Sequence, residues 1–167
     1  MIALQISSVR HFMSQLLAGD VFDLFLLEEA VIKTANTFTI DGHINREFYQ
    51  ESAPEATSAP PYDFRPWDEI KGLCFDLIKG KRTPLSFHFV LHLMPEQAES
   101  LLTKSGIDLR NSNMKALILT IRYDGTAVRL ITGTSYHTFT LSKEADTVWD
   151  NALEEYLLRK GIDFEQQ

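Results

Sequence analysis

Apolar residues recur along this chain with two different periods, and the change of period marks the elements. From Ser8, which suits a helix N-cap, Val9, Phe12, Met13, Leu16 and Leu17 fall at i, i+3, i+4, i+7 and i+8, with Gly19 following as a left-handed stop. A second stripe of Trp67, Ile70, Leu73, Cys74, Leu77 and Ile78 starts after Pro66, a residue suited to a first turn, and ends at Gly80. Pro95 through Ser105 predicts a third helix with Ala98, Leu101 and Leu102 inward and Gly106 behind it. The fourth and longest starts at a cap on Ser142 and turns Ala145, Val148, Trp149, Ala152, Leu153, Tyr156 and Leu157 inward. Glu144 and Asp146 lie in its first turn and Arg159 and Lys160 in its last, the arrangement that the helix dipole favours.

Elsewhere the period is two. Leu85, Phe87, Phe89, Leu91 and Leu93 alternate with less apolar residues, whereas a helical template over the same stretch gathers His88 and His92 onto its apolar stripe, so a strand is predicted. Asp124-Gly125 reads as a two-residue turn pairing Tyr123 with Thr126, Ile121 with Val128 and Leu119 with Leu130. A further turn at Gly133-Thr134 brings His137, Phe139 and Leu141 onto the same face, which makes a three-stranded meander. Asp41-Gly42 predicts another turn, between Thr37–Ile40 and His43–Asn45. Phe22 to Ala35 carries both periods, and its β-branched residues decide for a strand. Tight turns join only antiparallel neighbours, so the expected class is α+β: a predominantly antiparallel sheet packed by about four helices.

Composition sets the outer bounds. The 167 residues, 44% apolar and 23% charged, suit one globular domain spanning 1–167, with an exposed Pro/Ser/Ala-rich loop over residues 51–61. Sixteen basic against twenty-three acidic residues give a net charge of −7, which disfavours nucleic acid as a partner. The imbalance is uneven: residues 1–60 carry three basic and eight acidic groups, whereas residues 61–111 carry seven of each. A single cysteine, Cys74, needs no oxidising compartment, and the chain shows neither a secretory leader nor an apolar run long enough to span a bilayer. A cytoplasmic protein with no membrane association is expected.

The segments Thr37-Phe38-Thr39-Ile40-Asp41-Gly42, Lys79-Gly80-Lys81-Arg82-Thr83-Pro84-Leu85-Ser86-Phe87 and Ile131-Thr132-Gly133-Thr134-Ser135 resemble a family of small bacterial proteins classed only as a domain of unknown function. The resemblance spans most of the chain. It implies a bacterial cytoplasmic protein and brings no catalytic signature, substrate or partner.

Three chemistries can be tested against the residues. His88 and His92 stand four apart, and Asp41 and His43 two apart, a set that could serve a metal-dependent hydrolase. On a helix such histidines grip one ion; on a strand they stand ~13 Å apart at ~3.3 Å per residue, too far to share it unaided. The simpler reading puts both on the less apolar face of the strand. Gly133-Thr134-Ser135-Tyr136-His137 lacks the closing glycine and the following helix of a nucleophile elbow, and a hairpin turn explains Gly133. Gly80-Lys81-Arg82 lacks the remaining features of a phosphate-binding loop: Phe75 stands where its first glycine belongs. The adjacent acids Glu28-Glu29 and Glu154-Glu155 read as solvated faces.

What remains is a basic cluster, Lys79, Lys81 and Arg82, at the end of the second helix and leading into the strand of His88 and His92. Cations belong at a helix C-terminus on dipole grounds alone. The functional alternative is a site for an anion or an acidic partner. The expectation is therefore a non-catalytic binding or assembly module for a protein, for a second copy of itself or for a small anionic ligand, with no cofactor and no metal. Its candidate ligand contacts are Lys79, Lys81, Arg82, His88 and His92. The alternative is the small metal-dependent hydrolase built on Asp41, His43, His88 and His92.

Overall fold

The structure is a computed structural model and describes residues 1–50, 59–108 and 113–167. In chain order the elements are β1 (Ala3–Ile6), α1 (Val9–Leu17), β2 (Phe25–Lys33), β3 (Thr37–Asp41), α2 (Glu47–Gln50), β4 (Arg65–Pro66), α3 (Trp67–Ile78), β5 (Ser86–Leu93), α4 (Pro95–Lys104), β6 (Met114–Tyr123), β7 (Val128–Tyr136), α5 (Glu144–Arg159) and β8 (Phe164–Gln166). The eight strands form one antiparallel sheet in the order β3-β2-β5-β6-β7-β1-β8, with β4 paired to β2. The class is α+β, as predicted. Most of the expected loop over 51–61, residues 51–58, lies outside the described residues.

Alternation sorts the strand residues between the two faces. Phe87, Phe89 and Leu91 of β5 stand beside Ile32, Ala30 and Leu27 of β2 and Tyr123, Ile121 and Leu119 of β6, and all are buried under α1, α3 and α5. Trp67 donates from Nε1 to the Leu16 carbonyl at 2.9 Å and packs on Phe89, tying α3 to α1 and the sheet. Trp149 donates to the Ile118 carbonyl at 2.9 Å and does the same for α5. The opposite face carries Val31, His88, Val90, Thr120, Arg122, Arg129 and Ile131, all partly or largely exposed.

Several expected details are corrected. The β6–β7 connection is four residues long, so Tyr123 pairs with Val128, Ile121 with Leu130 and Leu119 with Thr132. The reason is Asp124, whose carboxylate accepts from the Thr126 and Ala127 amides at 3.0 and 2.9 Å and so builds a wider turn. There is no turn at Gly133. Strand β7 runs through it, pairs next with β1, and leaves Phe139 and Leu141 more than four-fifths exposed. Asp41-Gly42 is likewise no hairpin turn: β3 folds back on β2 through residues 34–36, and His43 bridges to Phe64.

Helix ends differ too. Helix α5 starts after Lys143 without a side-chain cap, not at Ser142, and α1 ends on a right-handed Ala18 with Gly19 not left-handed. Leu73 and Leu85, expected inward, are exposed. Ser8 does cap α1, accepting from the His11 amide at 3.3 Å.

Candidate binding site at the α1–α3 cavity

The Lys79–Arg82 segment has its place because α3 cannot continue past it. Lys79 leaves the helix in an extended conformation, its amide still bonded to the Phe75 carbonyl at 2.8 Å, and Gly80 follows at φ +149°, a backbone that side chains rarely adopt. The chain then turns through Lys81, Arg82, Thr83 and Pro84 into β5, and these residues form one wall of a cavity of about 490 Å³. Its other walls are Val9, Met13 and Leu17 of α1 and Phe75 and Ile78 of α3, and its floor is Phe87 and Tyr123. The two floor rings stack with centroids 5.0 Å apart, and the Tyr123 hydroxyl is occupied, donating to the Gly125 carbonyl at 2.9 Å.

The three cations differ in what already holds them. Lys79 pairs with Asp76 at 2.9 Å and lies 5.8 Å from the centre of the Phe75 ring. It serves the helix end. Lys81 and Arg82 make no ion pair or hydrogen bond among the described residues. They also stand beyond the last helical turn, where the dipole's attraction has faded. Two cations without a partner among the described residues, at the mouth of an apolar cavity in a chain of net charge −7, form an electrostatic and geometric feature that helix capping does not account for.

The histidines of the sequence reading are elsewhere. His88 and His92 project from the sheet face opposite the Phe87 floor, so neither joins the three cations. His88 lies beside Val31 and Arg122; burial first, and then the Arg122 charge, hold its pKa below the usual imidazole value. His92 is nearly buried and pairs through Nε2 with the Glu28 carboxylate. Asp41 Oδ1 accepts from the His43 amide at 3.0 Å and lies 2.6 Å from the His43 ring nitrogen Nδ1; the amide bond first, then the ring, hold its carboxyl below the usual range.

Between these two carboxylate–imidazole pairs stands the Phe64 ring, 4.6 Å from His43 and 4.5 Å from His92 between centroids. Among the described residues no three His, Cys, Asp or Glu side chains converge as a metal-binding group. Cys74 is buried, and burial pushes its thiol up to about 12, which leaves almost no thiolate at neutral pH.

Residues 15–165 match a family of unknown function, DUF5721. The chain belongs to that family. No curated protein and no solved structure matches it.

Sequence reasoning missed two parts of this DUF5721 protein. The cavity floor and the α1 wall were legible only as core, because a helix stripe and an alternating strand do not reveal where two elements diverge. Glu28 was read as solvated, yet it sits at a β-bulge between Leu27 and Glu29 and reaches His92. A signal existed: two adjacent acids interrupt an otherwise apolar strand, and an extra residue in a strand re-aims a side chain.

Proposed function

We propose that this chain is a non-catalytic module that binds an anionic ligand at the mouth of the α1–α3 cavity, through Lys81 and Arg82 with Lys79 beside them. The observation that carries the reading is the placement of two cations, unpaired among the described residues, on one rim of an apolar cavity within the size range of small-molecule sites, about 300–1,000 Å³. A charged group gains from a ligand contact only what its existing partners have not already supplied, and Lys81 and Arg82 have none to lose among the described residues. A cytoplasmic setting agrees with the free, buried Cys74. The metal-dependent hydrolase on Asp41, His43, His88 and His92 draws less support, since Phe64 separates the two imidazole–carboxylate pairs and His88 lies apart from both.

The test is a titration with sodium propionate followed by amide NMR shifts. The expected result is saturable movement of Gly80, Lys81, Arg82 and Thr83 that disappears in the double variant Lys81→Glu/Arg82→Glu. Equal, unsaturable movement near Lys104, Lys143 and Lys160 would mean nonspecific ion pairing and would defeat the proposal.

A further inference from the structure

We infer that the ligand is a single-chain amphiphile of the alkyl-carboxylate class, its head between Lys81 and Arg82 and its hydrocarbon chain inside the cavity. This rests on the anion-binding reading above and adds the body of the ligand to its charge. The cavity is chemically lopsided. Its cations all come from the 79–82 turn, while Val9, Met13, Leu17 and Ile78 supply hydrocarbon walls and the stacked Phe87 and Tyr123 rings close the floor.

Tyr123, the one floor residue with a hydroxyl, spends it on the Gly125 carbonyl, so the floor offers a ligand no free phenol. A compact inorganic anion would satisfy Lys81 and Arg82 and leave about 490 Å³ of apolar-walled space to water. A neutral apolar molecule would fill the space and leave the cations unused. A molecule with one charged end and an aliphatic body satisfies both halves. An Arg guanidinium suits a carboxylate through its paired N–H groups, and the flexible thioether of Met13 adapts to a chain of variable shape.

Burying a chain makes affinity depend on its length. Each methylene removed from water contributes ~0.8 kcal/mol, about fourfold in Kd, until the cavity is full. Isothermal titration with monomeric sodium hexanoate, octanoate and decanoate, below their micelle concentrations, reads this directly. Octan-1-ol and sodium propionate serve as the uncharged and chainless controls. Kd is expected to fall roughly sixteenfold for each two-carbon step. Octan-1-ol should bind at least about tenfold more weakly than octanoate, as expected if the head contributes one charge-assisted contact. The exposed double variant Lys81→Glu/Arg82→Glu should weaken octanoate by a similar factor and leave octan-1-ol unchanged.

If propionate binds as tightly as decanoate, the amphiphile inference falls while the anion site stands. If octan-1-ol equals octanoate and the double variant changes neither, charge has no part and both readings fall. If hexanoate, octanoate and decanoate all fail to bind, the inference falls, and the propionate NMR titration decides the anion site on its own. If the protein ignores monomeric octanoate but sediments with anionic phospholipid vesicles, the cations face a lipid surface and the inference is overturned.

Discussion

Gly42 occupies a position that a side chain cannot enter. A Cβ there would lie 1.7 Å from the Leu27 carbonyl oxygen, and that neighbour is backbone in the middle of a strand. The close approach lets the Gly42 amide donate to the Glu28 carbonyl and its carbonyl accept from the Arg65 amide, each at 2.8 Å, which fixes the bulge that presents Glu28 to His92. Gly42→Ala is therefore expected to destabilise the protein by about 1–3 kcal/mol, measured by urea denaturation, since the backbone must shift to admit the methyl group; parental stability would refute the close-packing account.

His88 gives a pH dependence whose sign follows from its surroundings. Burial and Arg122 lower its native pKa, whereas the unfolded chain titrates near ~6.5. Above that value both states are neutral and His88 costs nothing. As pH falls below it, the unfolded state takes up the proton first and stability is lost. The drop in urea midpoint between pH 7.5 and 5.5 should accordingly be smaller in His88→Gln than in the parent; equal drops would show that His88 is not responsible.

At the scale of elements, the β6–β7 hairpin shows how one side chain sets a register. The Asp124 carboxylate accepts from the Thr126 and Ala127 amides and from the Thr126 hydroxyl, and it pairs with Arg129 at 2.7 Å. The Ala127 amide bond first, then Arg129 and the Thr126 groups, hold the carboxyl far below its usual range. A depressed native pKa contributes stability that is fully present above the unfolded value, ~3.9, and is lost as pH falls through the native one. Asp124→Asn should lower Tm at pH 7, with the gap from the parent narrowing in strong acid; a constant gap between pH 7 and 2 would refute the electrostatic origin. The same logic of local satisfaction ends α3, where Gly80 accepts the backbone angle that releases Lys81 and Arg82 from the helix.

The molecule as a whole is organised around one face of one sheet. Trp67 anchors α1 and α3, and Trp149 anchors α5 beside Phe25, with ring centroids 6.2 Å apart; both belong to the same buried cluster. A shared core predicts one cooperative unfolding event. In urea, the fluorescence of Trp149 alone, in Trp67→Phe, and of Trp67 alone, in Trp149→Phe, should each follow the far-UV circular dichroism of the same variant. Separate midpoints within a variant would mean that the two helix groups unfold independently. The α1–α3 cavity lies at the margin of this core, where α1 and α3 meet the turn into β5. A binding site at that position can gain apolar contact without opening the centre.

How much of this was legible beforehand follows from which interactions are local. The four longer helices, the strand nature of Ser86–Leu93 and the α+β class came from periodicity, because a stripe or an alternation is imposed by burial of one side and repeats within a few residues. The basic cluster at Lys79, Lys81 and Arg82 was visible as well, as a composition of neighbours. Turn lengths were not: Asp-Gly at 124–125 and at 41–42 looked alike, yet one is a four-residue loop held by a carboxylate and the other a close backbone contact with the bulge of the neighbouring strand β2.

Short β1 and β8 gave no period long enough to read, and they exist as strands because β7 offers β1 an edge and β1 offers one to β8. The separation of His88 and His92 from the cations, the insertion of Phe64 between two imidazoles and the cavity behind Lys81 and Arg82 were decided only by tertiary structure. Each depends on which faces of distant segments meet, and long-range packing leaves no local pattern in the chain.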